Sequence, residues 1–342
     1  MSKKIIILGI ESSCDDTSAA IISDGYILSN IIANQKVHEK YGGVVPELAS
    51  REHQKNIIPV VDAAIKEAGI KKEDISAVSF TQGPGLLGSL LVGSSFAKSF
   101  ALGLDIPLIA VNHMKGHIMA HFIKNKEEEN KQPNFPFLCL TVSGGHTQIV
   151  LVKSVTEMII IGETLDDAAG EAFDKSAKIL GLSYPGGPLI DKYAKKGDKE
   201  KFTFGRHKVG KYDFSYSGIK TSILRVIEKE VTKNPNFIKE NLEDLCASIQ
   251  HTIVEILIKK ITKASSELGI NEIAIAGGVS ANSYLRTRLT ELQGKKGKNV
   301  FIPKFEYCTD NAAMIAITGY YQFLEKDFSD QSVTPTSRLK LQ

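Results

Sequence analysis

Apolar and polar positions alternate along the chain in blocks that predict β-strands interleaved with α-helices. The run KKIIILGIE is typical of a buried strand, and SAAIISDGYILSNIIA predicts two more strands joined by a turn at Asp24-Gly25. The segment ELASREHQKNIIPVVDAAIKEAG has the period of an amphipathic helix that ends at Gly69. The runs ISAVSFTQ and LIAVNH then predict two strands on either side of a second helix.

That second helix, PGLLGSLLVGSSFAKSFALG, carries a single charge, Lys98, and many small residues. This composition predicts a helix buried by close packing rather than one at the surface. We expect no membrane span, because no apolar stretch approaches the required length, and the opening MSKKIIILGI is too short for a signal peptide. The expected compartment is the cytoplasm.

After the polar loop NKEEENKQP the pattern begins again. The run FPFLCLTVSGGHTQIVLV predicts a strand, a glycine turn and a strand, which repeats the plan of IIILGIESSCDDTSAAII. A long helix (NLEDLCASIQHTIVEILIKKITKASSEL), a strand (EIAIAGG), a helix (NSYLRTRLTEL) and a strand (NVFIP) follow, and the last helix starts near Asp310. Two alternating halves predict an α/β protein with two lobes and a ligand cleft.

Composition adds little to this prediction. A chain of 342 residues that is 42% apolar is long enough for two cores, and its four cysteines lie too far apart for a zinc knuckle or a disulfide framework. The net charge of +3 does not by itself indicate a nucleic-acid-binding protein. The segment from Lys192 to Lys211, with eight Lys or Arg, is either a nucleic-acid-binding surface or a solvated loop, and Lys295, Lys296 and Lys298 form a weaker candidate.

Three turns at strand ends contain candidate ligand-binding groups. In IESSCDDTS, carboxylates such as Glu11 can orient a cation or water, although a solvated turn has the same composition. In TVSGGHTQ, Gly144 and Gly145 allow backbone N–H groups to approach a ligand, or form a tight hairpin. AGGVSANS opens a helix where exposed amides favour an anion, or where Ser280 or Asn282 simply caps the helix.

The stretch NHMKGHIMAH places His113, His117 and His121 four residues apart, so that all three share one face if the stretch is helical. Histidines at this spacing suit a metal ion, but they also suit a half-buried polar helix face. Two ligands do not make a metal site, and a third must come from elsewhere in the chain.

The segments GIESSCDDTSAAI, NHMKGHIMAH, VSGGHT, DDAAGEAFDK, YPGGP, FSYSGIKT, AGGVSANS and CTDNAAM closely resemble, in this order, the bacterial TsaD (YgjD/Gcp) family. The resemblance implies an actin, hexokinase and heat-shock-protein fold built from duplicated ribonuclease-H-like lobes. It also implies that threonylcarbamoyl-AMP donates its threonylcarbamoyl group to N6 of the adenosine next to the tRNA anticodon, in tRNAs that read codons beginning with A.

The resemblance also implies a site. The family's metal ligands fall on His113, His117 and Asp310, for one iron ion, with zinc as the alternative, whereas His121 lies beyond the motif. Without the resemblance, Asp310 is equally well explained as a helix cap. The family's acidic residue at the reactive centre falls on Glu11, as a base or an orienting group. Its adenylate-binding residues fall on Thr141, Val142, Ser143, Gly144, Gly145, Asp174, Gly187, Asp191 and Asn282.

We therefore expect residues 1–111 with 315–342 to form the first lobe, and residues 112–314 to form the second lobe with the metal and nucleotide site. The implied partners are tRNA, an inactive paralogue of the same fold (TsaB-like) and a P-loop ATPase (TsaE-like). The alternatives are a metalloprotease, a small-molecule kinase of the same superfamily and a non-catalytic nucleotide-binding module. A zincin protease is disfavoured because Met114, and not Glu, follows the first histidine.

Overall fold

The computed structural model describes residues 4–35, 38, 41, 43–128, 131–205 and 209–341, which divide into two units. The first unit runs to Gln132 and resumes at Pro303, and the second runs from Pro133 to Ile302. The sequence-based boundaries differ, since residues 112–132 and 303–314 belong to the first unit. The reason is that the helix at 113–119 continues directly from a strand of the first sheet and packs against the last helix.

The first unit contains one sheet, with strand order β3-β2-β1-β4-β5. The pairs β1–β2 and β2–β3 are antiparallel, and β1–β4 and β4–β5 are parallel. Its elements, numbered in chain order, are β1 (Ile6–Glu11), β2 (Thr17–Ser23), β3 (Tyr26–Ala33), α1 (Pro46–Glu67), β4 (Ala77–Gly83), α2 (Leu87–Leu104), β5 (Leu108–Asn112), α3 (His113–Met119) and α10 (Ala312–Leu324).

Strand β1 is buried at every position because helices cover both faces of this sheet. Leu8 and Ile10 belong to the core beneath α1 and α2. Gly9 points the other way, where a Cβ atom would lie 2.6 Å from the backbone nitrogen of Ala316 in α10. Burial on both faces of β1 explains the continuous apolar run in the sequence. Glycine is required at position 9 because α10 packs directly against the strand there.

The second unit repeats the same strand order, β8-β7-β6-β9-β10, with antiparallel β6–β7 and β7–β8 pairs and parallel β6–β9 and β9–β10 pairs. This confirms the internal repeat. Its elements are β6 (Phe137–Val142), β7 (Thr147–Val152), β8 (Met158–Glu163), α4 (Ala169–Ile179), α5 (Gly186–Ala194), α6 (Ser217–Val231), α7 (Phe237–Glu240), α8 (Leu242–Leu268), β9 (Glu272–Ala276), α9 (Ser283–Thr290) and β10 (Asn299–Phe301).

Helix α2 is only partly buried, whereas its composition predicted a helix buried by close packing rather than one at the surface. Its small residues Gly93 and Ala97 are buried, but Leu87, Leu91 and Leu102 are exposed by 50%, 47% and 70%. Contrary to the expectation from the sequence, α2 is long and apolar enough, by length and composition alone, to cross a membrane, although core helices of soluble proteins meet the same criterion. The small residues of α2 therefore pack inward, and several of its large residues are exposed.

Candidate metal and nucleotide sites

Helix α3 brings two of the predicted metal ligands together with the third. Its start is fixed by Asn112, whose side chain accepts hydrogen bonds from the N–H groups of Met114 and Lys115. His113 and His117 lie on the same face, and their Nε2 atoms are 3.4 and 3.2 Å from Oδ1 of Asp310. One ligand atom from each of the three side chains lies within 4.8 Å of the others, so the group can hold a metal ion.

Two observations favour a metal at this group over a purely structural role. Asp310 does not cap α10, because the side chain of Asn311 accepts from the Met314 N–H and takes that role. His117 is buried, and within the described chain neither of its ring nitrogens makes a hydrogen bond, the contact to Asp310 being poorly aligned. An imidazole buried with two unsatisfied nitrogens is costly, whereas a metal ion would use one of them.

The third histidine of the stretch lies beyond α3. Helix α3 ends at Met119, and His121 lies in the short 3-10 helix Ala120–Phe122 that follows. Among the described residues, the group that can hold a metal contains His113 and His117 but not His121.

Glu11, at the end of β1, lies behind His113. Its side chain is fully buried, and one carboxylate oxygen, Oε2, accepts from His113 Nδ1 at 3.0 Å and from the Thr81 hydroxyl at 2.6 Å. The other oxygen, Oε1, accepts from the Ser13 N–H. With Nδ1–H of His113 directed at Glu11, Nε2 faces Asp310, where a metal ion would replace its proton. This geometry favours the orienting role for Glu11 over that of a base exposed to substrate.

Glu11, His113 and Asp310 change one another's pKa. Burial alone would raise the pKa of the Glu11 carboxyl, but the neighbouring His113 lowers it. Burial would likewise lower the pKa of His113, but Glu11 and Asp310 raise it well above its usual range. The Asp310 carboxyl has a lowered pKa because the two histidines outweigh its burial. The pocket thus attracts a cation, and a proton competes with a metal ion for the imidazole.

The rest of the first turn is bonded internally. Burial raises the pKa of the Cys14 thiol, and nearby Asp15 adds to this, so Cys14 is a poor nucleophile. The Thr17 hydroxyl lies 2.7 Å from His53 Nδ1, and His53 Nε2 lies 3.0 Å from the Cys14 carbonyl oxygen. Thr17 is therefore occupied by a buried histidine, and the sequence did not identify His53 as the residue that fixes this turn.

A pocket of about 280 Å³ lies within the second unit. It is bounded by the β6–β7 turn, the starts of α4 and α5, and the segment between β9 and α9. Five of the predicted adenylate-binding residues line it: Gly144, Asp174, Gly187, Asp191 and Asn282. Four others, Thr141, Val142, Ser143 and Gly145, do not line it.

The polar groups of this pocket are held in place by the backbone around it. Oδ1 of Asp174 accepts from the N–H groups of Gly186 and Gly187, at 2.8 and 3.2 Å. Burial raises the pKa of Asp174, and these two N–H groups only partly offset it. Oδ1 of Asp191 accepts from the N–H and hydroxyl of Ser283. Oδ2 of Asp191 lies 3.9 Å from Nζ of Lys195, too far for a hydrogen bond, so each aspartate keeps a second oxygen that can accept from a ligand hydroxyl.

The sequence missed several residues that shape this pocket. A Cβ atom on Gly170 would lie 2.5 Å from the Ser143 carbonyl oxygen, so only glycine lets the start of α4 approach the β6–β7 turn. Phe173 and Gly278 also line the pocket. Their positions inside the motifs DDAAGEAFDK and AGGVSANS were the available signal.

The basic segment from Lys192 to Lys211 is less positive than its sequence indicates. Lys196, Lys201 and Lys211 lie within 4.0 Å of Glu243, Asp244 and Glu267, respectively, all acids distant in sequence. Arg206 and Lys208 lie outside the described residues.

The second basic candidate also changes. Lys298 is buried, and its Nζ donates to the Ser265 hydroxyl, so it is not a surface charge.

Two units of one ribonuclease-H-like topology define the class of actin-like, hexokinase-like and heat-shock-protein-like proteins. The fold is shared with full-length HypF, at 15% identity and a TM-score of 0.63 over 96% of this chain and 48% of that chain. It is also shared with (R)-2-hydroxyglutaryl-CoA dehydratase component A of Acidaminococcus fermentans, at 17% identity and a TM-score of 0.51, covering 93% and 98% of the two chains.

Sequence similarity is far closer within one family of this class. The family model described as TsaD, tRNA N6-adenosine threonylcarbamoyltransferase, matches residues 26–317. The chain is 61% identical over 338 residues to the protein of that name from Christiangramia forsetii, with 99% of each covered. It is 50% identical over 342 residues to that from Thermosipho africanus, covering 98% and 100%. The chain belongs to the tRNA N6-adenosine threonylcarbamoyltransferase family, which confirms the resemblance.

Proposed function

We propose that this chain transfers the threonylcarbamoyl group of threonylcarbamoyl-AMP to N6 of the adenosine 3′-adjacent to the anticodon, in tRNAs that read codons beginning with A. The adenine amine attacks the carbonyl carbon and loses a proton, and AMP leaves with the electrons of the broken C–O bond. Membership of the family supports the reaction. The observation that carries the donor's identity is the pocket in which Asp174 and Asp191 each retain one oxygen for a ribose hydroxyl.

In this proposal the second unit binds the adenylate. The open space around Gly144 lets backbone N–H groups approach the phosphate, because nothing lies within 4 Å of where its Cβ atom would be. Asp174 and Asp191 accept from the ribose diol. Asn282 is already engaged, since Oδ1 caps α9 and Nδ2 donates to Gln250, so it shapes the wall of the pocket. The strand and turn that support this pocket would include Thr141, Val142, Ser143 and Gly145.

We propose iron as the resident metal, with zinc as the alternative, because two imidazoles and one carboxylate are a donor set typical of ferrous iron. A bound metal would supply Lewis acidity and hold substrate oxygens in its open positions. His113, His117 and Asp310 would hold it, and Glu11 would keep His113 oriented. No covalent nucleophile is needed, in agreement with the raised pKa of Cys14.

The alternative activities fit this site less well. A zincin-type protease needs a glutamate directly after the first histidine as the general base, and Met114 occupies that position and is buried. A small-molecule kinase or a non-catalytic nucleotide module gives no role to the His-His-Asp group.

The proposed partners, apart from tRNA, are a paralogue of the same fold and a P-loop ATPase, in the cytoplasm. The first unit offers an apolar surface for a folded partner, since Ile58 of α1 is 65% exposed and three leucines of α2 are also exposed. We assign this face to the paralogue, whose contact would cover it.

Comparing tRNA nucleosides by mass spectrometry, from cells with and without the chain, tests the proposal. Loss of N6-threonylcarbamoyladenosine, restored by the wild-type chain but not by an Asp191→Asn variant, is the expected result. Unchanged levels of the modified nucleoside would refute it. Reconstitution from purified chain, partners, tRNA and threonylcarbamoyl-AMP separates transferase activity from indirect effects.

A further inference from the structure

The second unit carries an open groove of about 560 Å³ between α8 and the α9 region, and it shares no lining residue with the nucleotide pocket. Helix α8 contributes Glu255, Ile258, Lys259, Thr262, Lys263 and Ser266 to this groove, α9 contributes Arg288, and Leu292 follows α9. Neither the family motifs nor the adenylate pocket accounts for these residues.

Four of the six residues from α8, Lys259, Thr262, Lys263 and Ser266, are spaced i, i+3, i+4 and i+7, so they form one stripe along the helix. All four side chains can donate hydrogen bonds. The Thr262 hydroxyl oxygen is buried and has no hydrogen-bond partner within the described chain. The exposed donors of this stripe, Lys259, Lys263 and Ser266, are suited to a ligand that is rich in acceptors.

Positive charge is concentrated at the lysine end of the stripe. Lys259 and Lys263 are exposed, and no carboxylate of the described residues forms an ion pair with either. Burial lowers the pKa of the adjacent Lys260, and the charges of Lys263 and Lys259 lower it further. These lysines therefore differ from Lys196, Lys201 and Lys211, each of which is already paired with an acid.

Arg288 closes the other wall of the groove and is held rigidly. Its guanidinium donates to Glu255 at 2.6 and 3.1 Å and to Glu291, so its own charge is satisfied. In this groove the fixed Arg288 side chain on α9 therefore faces a row of unpaired donors on α8. Because the donors form a line one helical turn apart, about 5.4 Å, they suit a chain of anions better than a single small one.

We propose that this groove binds the phosphate backbone of the tRNA substrate, with Lys259 and Lys263 contacting phosphates and the hydroxyl of Ser266 donating to a phosphate oxygen. The inference rests on the proposed function. Its location suits an extended substrate, since Asn282 at the start of α9 lines the nucleotide pocket and Arg288 lies six residues further, roughly 9 Å along the helix axis.

The test is the salt dependence of tRNA binding by the full chain, measured with an unmodified tRNA transcript. Lys259→Gln with Lys263→Gln should lower the slope of log K against log salt by about 1.4 to 1.8, from about 0.7 to 0.9 for each lost phosphate contact. The matched control, Lys178→Gln with Lys229→Gln, removes two exposed lysines of the same unit outside the groove and should keep the wild-type slope.

Two further variants separate charge from shape. Lys259→Arg with Lys263→Arg should restore the slope. Ser266→Ala should weaken tRNA binding several-fold without changing the slope, because it removes an exposed hydroxyl and no charge. Adenylate binding should stay unchanged in every variant, which excludes general unfolding.

A double lysine variant with the slope of the control would overturn the inference, as would competition by millimolar inorganic phosphate that abolishes the difference between variant and wild type. The second result would identify the groove as a small-anion site. If the wild-type chain with its partners neither binds nor modifies tRNA, the proposed function itself fails. Normal modification with an unchanged slope rejects the groove alone.

Discussion

Glu11 accepts a hydrogen bond from His113 across 102 residues of sequence, with 3.0 Å between Oε2 and Nδ1. The carboxylate is fully buried and also accepts from Ser13 and Thr81, so both of its oxygens are used. Such a contact fixes the imidazole tautomer that leaves Nε2 available to a metal, and outer contacts of this kind strongly affect metal affinity.

We expect Glu11→Gln to lower metal affinity by about 10- to 100-fold. The new amide group must face either the Ser13 N–H, which also donates, or His113 Nδ1. In the second case the histidine has to move its proton to Nε2 and can no longer bind a metal through that atom. Titration of the metal-free protein with Co²⁺, followed by its visible absorption bands, measures both the affinity and the ligand geometry.

Thr81→Val is the matched control, because it removes one hydrogen bond to the same carboxylate without changing what His113 meets. It should cost stability, about 1 kcal/mol, and largely preserve the Co²⁺ spectrum. Wild-type affinity and spectrum in Glu11→Gln would contradict an orienting role.

The metal ligands themselves make a second prediction. His113→Ala, His117→Ala and Asp310→Ala should each reduce bound metal to about a tenth or less of the wild-type content while the fold survives, since each removes one of three ligands. His121→Ala should retain metal, because His121 lies in the 3-10 helix beyond α3. Metal analysis and far-UV circular dichroism of the four purified variants would decide it. Loss of metal from the His121 variant would require a different ligand set.

Features that depend on residues close together in the sequence could be predicted, whereas features that depend on tertiary packing could not. The pair His113 and His117 was visible because a helix makes neighbours of residues four apart, and both sheets were visible as apolar runs. Asp310 came only from the family motif, since nothing local links it to α3. The role of Glu11 was beyond sequence reasoning, because burial by β4 and contact with His113 depend on tertiary packing.

Charge was harder to predict than topology. The segment from Lys192 to Lys211 had the composition of an RNA-binding surface, but acids from α8 neutralise several of its lysines. The pairing acids lie more than 40 residues away, and only the packing of α8 brings them near. A count of basic residues along the chain could not anticipate this, nor could it single out Lys259 and Lys263.

The nucleotide pocket provides a third prediction. Asp191→Asn should weaken AMP binding about tenfold, a loss of about 1.4 kcal/mol, because the carboxylate oxygen that accepts from the ribose is replaced by a donor. The bonds from Ser283 to Oδ1 survive, since asparagine keeps one acceptor. Isothermal titration with AMP and with its 2′,3′-dideoxy analogue measures the effect.

The dideoxy analogue serves as an internal control, because without ribose hydroxyls it should bind wild type and Asp191→Asn equally. Asp198→Asn changes an aspartate outside the pocket and should bind AMP normally. An equal loss of affinity for both nucleotides would assign Asp191 to the structure of the pocket instead.

Asp16, beside the buried turn of the first unit, predicts how stability depends on pH. Burial and the charge of Asp15 raise the pKa of its carboxyl from 3.8 to about 7. Between these values the folded state binds more protons than the unfolded state, so the free energy of unfolding falls as pH rises from about 4 to 7.

Asp16→Asn removes this loss and keeps the hydrogen bond from Asn34, whose amide donates to the side-chain oxygen. At pH 8 the variant should be more stable than wild type by about 2 kcal/mol, half the full value for such a pKa because the carboxyl is partly exposed. At pH 4 the two should unfold at the same urea concentration. Asp62→Asn, on the exposed face of α1, should follow the wild-type profile. Urea denaturation of the metal-free proteins from pH 4 to 8 measures this, and parallel wild-type and Asp16→Asn profiles would show that Asp16 ionises normally in the folded protein.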